Sequence, residues 1–202
     1  MKLKVVTGNR HKVQEFRSIL AVLGRDLVVE PLEAGSVVEC GATYYQNAYR
    51  KALAGVRRDQ CRGVCADIIL ADDSGLEVEE FGRMPGVHSA RFSYAGLSER
   101  AAMSRFLLDQ GTSLVHGRFV CWIVAFLPGV PQCVSAYGSV HGTIRPDPRG
   151  TSGFGYDPLF VPDGYTSTFA EMGPEVKDRI SHRSRAIASL MSILESEVSL
   201  RS

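Results

Sequence analysis

No stretch of the 202 residues approaches the roughly 18 consecutive apolar positions that a membrane-spanning helix needs, so no membrane role is expected. Charge of one sign is also missing. The formal net charge is +1, with neither a basic stripe nor an acidic tail, and this argues against a nucleic-acid partner. Cysteine is sparse: Cys40, Cys61, Cys65, Cys121 and Cys133 are odd in number and scattered. Cys61-x3-Cys65 has no second pair to complete a zinc site, so reduced thiols are expected. A signal-peptide apolar core is not found either. Met1-Lys2-Leu3-Lys4 leads directly into a strand-like segment, and the expected compartment is the cytoplasm. What remains, 45% apolar and 22% charged, is the composition of an ordinary globular protein with one domain, or two lobes sharing a cleft.

The most informative stretch is Ala71-Asp72-Asp73-Ser74-Gly75-Leu76. Ile68-Ile69-Leu70 before it is continuously apolar and reads as a strand buried on both faces. The strand is expected to end at the two carboxylates, and ligands of α/β sheets collect at the carboxyl ends of strands. Adjacent side chains of an extended segment point opposite ways, so Asp72 and Asp73 share a cleft only if the chain turns between them. Gly75 supplies backbone freedom nearby. The plainer reading is a solvated turn.

Elsewhere the chain alternates strands and helices. Leu3 to Val6 reads as a strand, Thr7-Gly8-Asn9 as a loop, and Val13, Phe16, Leu20 and Leu23 as one helix face ended by Gly24. A strand, glycine loop and helix aim free N–H groups and the positive helix end into one small volume, which suits phosphate. Lys12 in the first turn opposes the helix dipole, and a polyphosphate would offset it. The Walker A spacing is missing. Leu27 to Val29 predicts a second strand closed by Pro31. Thr43 with Gln46 has capping-box spacing before a helix carrying Tyr45, Ala48, Ala52 and Val56 inward, which leaves Glu39 on the preceding loop. Ser98 is expected to cap a helix with Ala102, Met103 and Phe106 inward. Phe119 to Leu127 is expected as a central strand. Gln132 to Tyr137 and Ser139 to Ile144 are expected as two more strands, antiparallel in part, which makes the sheet mixed. In Gly153-Phe154-Gly155-Tyr156-Asp157-Pro158, a ring on a flexible loop can stack on a base, and Asp157, held extended before Pro158, can accept its N–H groups. Lys177 and Ser181-His182-Arg183 precede a C-terminal helix, whose N-terminus would present His182 and Arg183.

Six motifs occur in order: Thr7-Gly8-Asn9-x2-Lys12-x2-Glu15, Glu39-x-Gly41-x-Thr43, Asp72-Asp73-Ser74-Gly75-Leu76, Pro85-Gly86-x2-Ser89-Ala90-Arg91, Phe154-Gly155-Tyr156-Asp157-Pro158 and Ser181-His182-Arg183. Together they resemble the inosine triphosphate pyrophosphatase family, over essentially the whole chain. The resemblance implies Mg²⁺-dependent cleavage of non-standard purine triphosphates (ITP, dITP, XTP) to the monophosphate and pyrophosphate. It implies that Thr7, Gly8, Asn9, Arg10, His11 and Lys12 hold the triphosphate. Glu39 and Asp73 would serve the metal, Asp73 would also be the base, and Ser74 would touch substrate. Phe154, Gly155, Tyr156, Asp157, Lys177, His182 and Arg183 would hold or read the purine. It also implies an elongated mixed α/β fold with flanking helices, two lobes around a cleft, and a homodimer. Gln46 departs from the family's usual glutamate, which bears on the metal site. A related septum-inhibitor-type pyrimidine pyrophosphatase and a nucleotide-binding protein without turnover are the other readings.

Overall fold

The computed structural model describes residues 2–35, 37–60, 67–130 and 132–199; the Cys61-x3-Cys65 pair lies outside the described residues. In chain order the elements are β1 (Lys2–Val6), α1 (Arg10–Val22), β2 (Val28–Leu32), α2 (Tyr44–Gln60), β3 (Ile68–Val78), β4 (Met84–Pro85), β5 (Ser93–Tyr94), β6 (Leu97–Ser98), α3 (Glu99–Asp109), β7 (Val115–Phe126), β8 (Cys133–Ile144), β9 (Phe160–Pro162), α4 (Phe169–Ile180) and α5 (His182–Ser199). Among the described residues the main sheet has the order β2-β1-β3-β7-β8-β9, with β4 also paired to β3. β1 runs parallel to β2 and β3, whereas β4 is antiparallel to β3 and β9 to β8. The expected mixed sheet with helices is therefore present.

The chain divides into two compact units, Met1–Asp73 with Cys121–Gly138 and Arg183–Ser202, and Ser74–Val120 with Ser139–His182. In the first unit, alternation along the strands sorts side chains into two cores. Leu3 and Val5 of β1, Ile68 and Leu70 of β3 and Cys121, Ile123 and Ala125 of β7 pack with Val13, Phe16, Ile19 and Leu20 of α1 and Ile187, Leu190 and Met191 of α5. Val6, Ile69, Ala71 and Val124 point the other way and pack with Ala48 and Ala52 of α2. The 3.6-residue period of each helix and the two-residue period of each strand thus meet in one pattern. The second unit has its own core, in which Leu76, Val78, Met103, Leu107, Phe119, Phe160 and Phe169 are buried.

Several boundaries differ from expectation. β3 does not stop at Asp72; it continues to Val78, all of it buried apart from half-buried Ser74. Satisfied polar partners, described below, let the strand carry two carboxylates through its buried stretch. β2 includes Pro31, which an edge strand tolerates because one side of its backbone needs no ladder partner. Residues 133–144 form one strand through Gly138 rather than two. Tyr44, not Tyr45, is buried at the start of α2, and Ser98 occupies the N-cap of α3 without making a capping bond.

Gly55 explains how closely α2 approaches the sheet. A Cβ there would lie 2.3 Å from Val6 Cγ2 and 3.0 Å from Ile69 Cγ2, both on stiff β-branched side chains. Helix propensity favours alanine over glycine by about 0.5–1 kcal/mol. Overpacking costs about 1–3 kcal/mol, so packing decides. Gly55→Ala is therefore expected to lower the thermal midpoint, which calorimetry of the two proteins checks; a rise would mean that α2 moves off the sheet without cost.

Candidate functional site

Because β3 is extended, Asp72 and Asp73 point to opposite faces, and each meets a different helix. Asp72 shares its face with Ile68 and Leu70. It receives Lys12 Nζ from α1 at 2.9 and 3.1 Å, and Arg183 from α5 through Nη2 at 3.0 Å and Nε at 3.3 Å. Arg183 Nη1 also bonds Glu15. Asp72 is 1% exposed, and burial pushes its carboxyl upward, but Lys12, Arg183 and Lys51 outweigh that and hold it far below the usual carboxylate range. Lys12 stands in the first turn of α1, just after the loop expected to hold phosphate. Asn9 is the N-cap of α1: its Oδ1 accepts from His11 N at 2.9 Å, while its own N–H bonds Thr7 Oγ1 at 3.0 Å. Arg10 and His11 are exposed on the first turn.

Asp73 faces α2. Its Oδ2 accepts from Asn47 at 3.1 Å and its Oδ1 from Lys51 at 3.1 Å; Lys51 also reaches Glu39 at 3.1 Å. Burial dominates here and raises the Asp73 carboxyl above its ordinary value, against the pull of Lys51 and the Asn47 hydrogen bond. Two neighbouring carboxylates are thus driven in opposite directions, the pattern that separates a fixed anion from a proton acceptor. Thr7, Gly8, Glu33, Glu39 and Lys51 line a pocket of about 360 Å³.

The charge pairing also tests whether a divalent cation fits. Asp72 and Glu15 share two cations, Lys12 and Arg183, whereas Asp73 and Glu39 share one lysine. Asp73 and Glu39 present carboxylate oxygens, hard donors of the kind that fit Mg²⁺. No group of three or more His, Cys, Asp or Glu is placed to hold a metal among the described residues. Gln46, the departure from the family pattern, is exposed; it accepts from Ala42 N at 2.8 Å and donates its own N–H to Thr43 Oγ1 at 3.2 Å.

The second unit holds the remaining expected residues. Asp157 is not extended; it opens a 3₁₀ turn, Asp157–Leu159, with Pro158 in its first turn. Asp157 Oδ2 accepts from Phe154 N at 2.9 Å and from Lys177 Nζ at 2.6 Å, with both charged side chains about nine-tenths buried or more. Lys177 Nζ lies 5.0 Å from the centroid of the Phe154 ring, which remains partly exposed. Gly153 is required, since its φ is +76° and a Cβ would meet Asp157 Oδ2 at 2.1 Å. Tyr156 is buried and its hydroxyl donates to Ser89 O at 2.7 Å, while Ser89 Oγ accepts from Leu76 N at 2.8 Å. The Pro85 to Arg91 motif therefore ties the 3₁₀ turn Gly86–Arg91 to β3 and to the glycine loop. His182 opens α5 and stacks on Phe119.

Arg183, expected to read the base, is 1% exposed with its guanidinium on Asp72 and Glu15. Lys51 and Asn47 escaped sequence reasoning, and Glu15 entered it only as part of a motif, with no role. Asn47 and Lys51 are i and i+4 on α2, polar positions on an otherwise apolar face, and that interruption was the available signal.

Acid stability follows from Asp72. Its depressed folded value means that its stabilisation is full above the unfolded value of roughly 3.9 and is lost as the pH falls below it. Asp73 has the opposite sign: its raised value costs stability once the pH rises through it. Asp72→Asn is expected to cost about 3–5 kcal/mol at pH 7, the effect of stripping one partner from buried charges, and to flatten the acid limb below about pH 4. Denaturant titrations from pH 3 to 7 check this, and an unchanged acid limb would remove Asp72 as its source.

The Ham1 family model matches residues 3–193. A dITP/XTP pyrophosphatase of Aquifex aeolicus is 41% identical over 205 residues, covering 96% of this chain and 97% of its own. One of Porphyromonas gingivalis is 41% identical, with 96% and 97% covered. Among solved structures, the Ham1 protein of Staphylococcus aureus superposes with a TM-score of 0.77 at 29% identity, over 98% of this chain and all of its own (100%). A nucleoside-triphosphatase / dITP/XTP pyrophosphatase of Mycobacterium abscessus gives 0.65 at 37% identity over 96% and 100%. On the family match and on relatives above 40% identity across nearly its whole length, the chain belongs to the Ham1 family.

Proposed function

We propose that this chain hydrolyses non-standard purine nucleoside triphosphates (ITP, dITP and XTP) at the α–β phosphoanhydride, giving the monophosphate and pyrophosphate. The observation that carries the mechanism is the opposed state of Asp72 and Asp73. Asp73, with its carboxyl raised, is the group suited to accept the proton of the attacking water. Asp72, saturated by cations, cannot take that part; it holds Lys12 at the loop where Thr7, Gly8, Asn9, Arg10 and His11 receive the triphosphate. The relatives named dITP/XTP pyrophosphatase support the same substrate class.

Glu39 and Asp73 would hold Mg²⁺, with Lys51 beside them. When bound, the ion supplies a Lewis acid that draws charge from the phosphoryl oxygens and orients them. Ser74, next along β3, is the expected substrate contact. The purine is assigned to Phe154, Gly155, Tyr156, Asp157, Lys177 and His182, with the ring of Phe154 as the stacking surface. Arg183, the remaining residue expected to hold or read the purine, is also bonded to Asp72. The same resemblance supports a cytoplasmic homodimer that removes damaged purine nucleotides before polymerases use them. No helix of the described residues is long and apolar enough to cross a membrane.

A panel of ITP, dITP, XTP, ATP, GTP and UTP with Mg²⁺, read as pyrophosphate release, tests the assignment. Preference for UTP would favour the pyrimidine enzyme, and binding without release a nucleotide sensor. Asp73→Asn is expected to fold and to lose ~10²–10⁴-fold in kcat, the usual size of general-base assistance, with a further loss from weaker metal binding. A folded Asp73→Asn protein retaining more than about a tenth of wild-type turnover would remove Asp73 as the base.

A further inference from the structure

The second unit places an unusual support beneath its polar groups. Phe119 lies on β7, 6% exposed, and its ring is stacked nearly parallel on the imidazole of His182, with centroids 4.7 Å apart and planes 13° from coplanar. Phe119 packs in turn on Phe160 at 4.7 Å and on Phe169 at 6.1 Å. The centroid of the Phe169 ring also lies 5.9 Å from Lys177 Nζ. His182 and Lys177 therefore both rest on one aromatic wall, and the wall is buried.

A ring nitrogen directs its hydrogen bond in the plane of the imidazole, so recognition by His182 depends on how that plane is held. Helix α5 fixes the Cα of its first residue, but the χ2 torsion of histidine is broad and leaves the plane undetermined. Parallel stacking on a buried phenylalanine removes that freedom. An aliphatic side chain of similar volume would fill the space without selecting a plane.

We infer that Phe119 is a specificity-determining positioning residue, which acts through His182 by setting the plane in which the imidazole meets the purine. The inference rests on the proposed purine triphosphate reading and deepens it. Phe119 touches no reacting atom. Its contribution is the orientation of a group that does meet the base, and a loosely held donor or acceptor discriminates poorly between a carbonyl and an amino group at one ring position.

The test is a double-mutant cycle of Phe119→Leu and His182→Ala, with kcat/KM measured for ITP and for ATP. Phe119→Leu is expected to shrink the ITP/ATP ratio by roughly tenfold, the scale of one oriented aromatic pair. In the His182→Ala background the same substitution should leave the ratio where His182→Ala alone puts it. Phe160→Leu, which thins the same wall without touching His182 in this way, should lower the thermal midpoint and leave the ratio unchanged. Imidazole NMR signals of Phe119→Leu should lose the ring-current displacement that they show in the wild type, a readout independent of turnover. Should Phe119→Leu not fold, Phe119→Met carries the same measurements. An unchanged ratio in the folded Phe119 variant, or equal losses with and without His182, would overturn the inference. If wild-type protein shows no preference for ITP, the functional reading itself falls, and the NMR result still reports whether Phe119 holds the ring.

Discussion

One strand that does not break organises the first unit. Had β3 turned between Asp72 and Asp73, both carboxylates could have entered one volume, and their mutual repulsion would have been the dominant interaction. Instead the extended backbone sends them to opposite faces, where different helices answer them: α1 and α5 with Lys12 and Arg183, α2 with Asn47 and Lys51. A buried, unpaired carboxylate is far more costly than any gain from strand pairing. The continuation of β3 to Val78 is thus conditional on those cations, and they in turn are positioned by helices that the same strand packs. Sheet, helices and charges stand or fall as a set.

The two faces differ in the balance of charge. On the Asp72 face every anion of the network has a cation, and one guanidinium bridges two carboxylates with its several donors. That arrangement resists both protonation and exchange, which suits structure. On the Asp73 face Lys51 reaches both Asp73 and Glu39, and burial rather than the cations sets the direction in which the Asp73 carboxyl moves.

Much of this was legible in the sequence. Apolar spacing located α1, α2, α5 and the central strands, because burial imposes periods of 3.6 and two that tertiary structure cannot alter. The loop and first turn from Thr7 to Lys12 were legible for the same local reason: a glycine loop between a strand and a helix has few conformations. What could not be read was partnership across long separations. Nothing local links Arg183 to Asp72, 111 positions away, so that pairing left no mark in the sequence pattern. The end of β3 was misplaced because acidic residues normally terminate strands, and only their distant partners lift that penalty. Asp157 was read as extended before proline; its contacts with Phe154 N and Lys177 hold a 3₁₀ turn instead.

The second unit is held by different forces. Here the Asp157–Lys177 pair is about nine-tenths buried or more, and contacts of different kinds help to hold it. The Phe154 N–H bonds the carboxylate, the Phe154 and Phe169 rings lie near the ammonium, and the lack of a side chain at Gly153 leaves the carboxylate oxygen its place. The run Gly153-Phe154-Gly155-Tyr156-Asp157 is therefore less a flexible loop than a clasp, in which the glycine permits, the aromatic covers and the aspartate locks. Flexibility was the natural inference from its glycines; the buried ion pair reverses it, because a charge pair held out of water keeps its geometry or is lost.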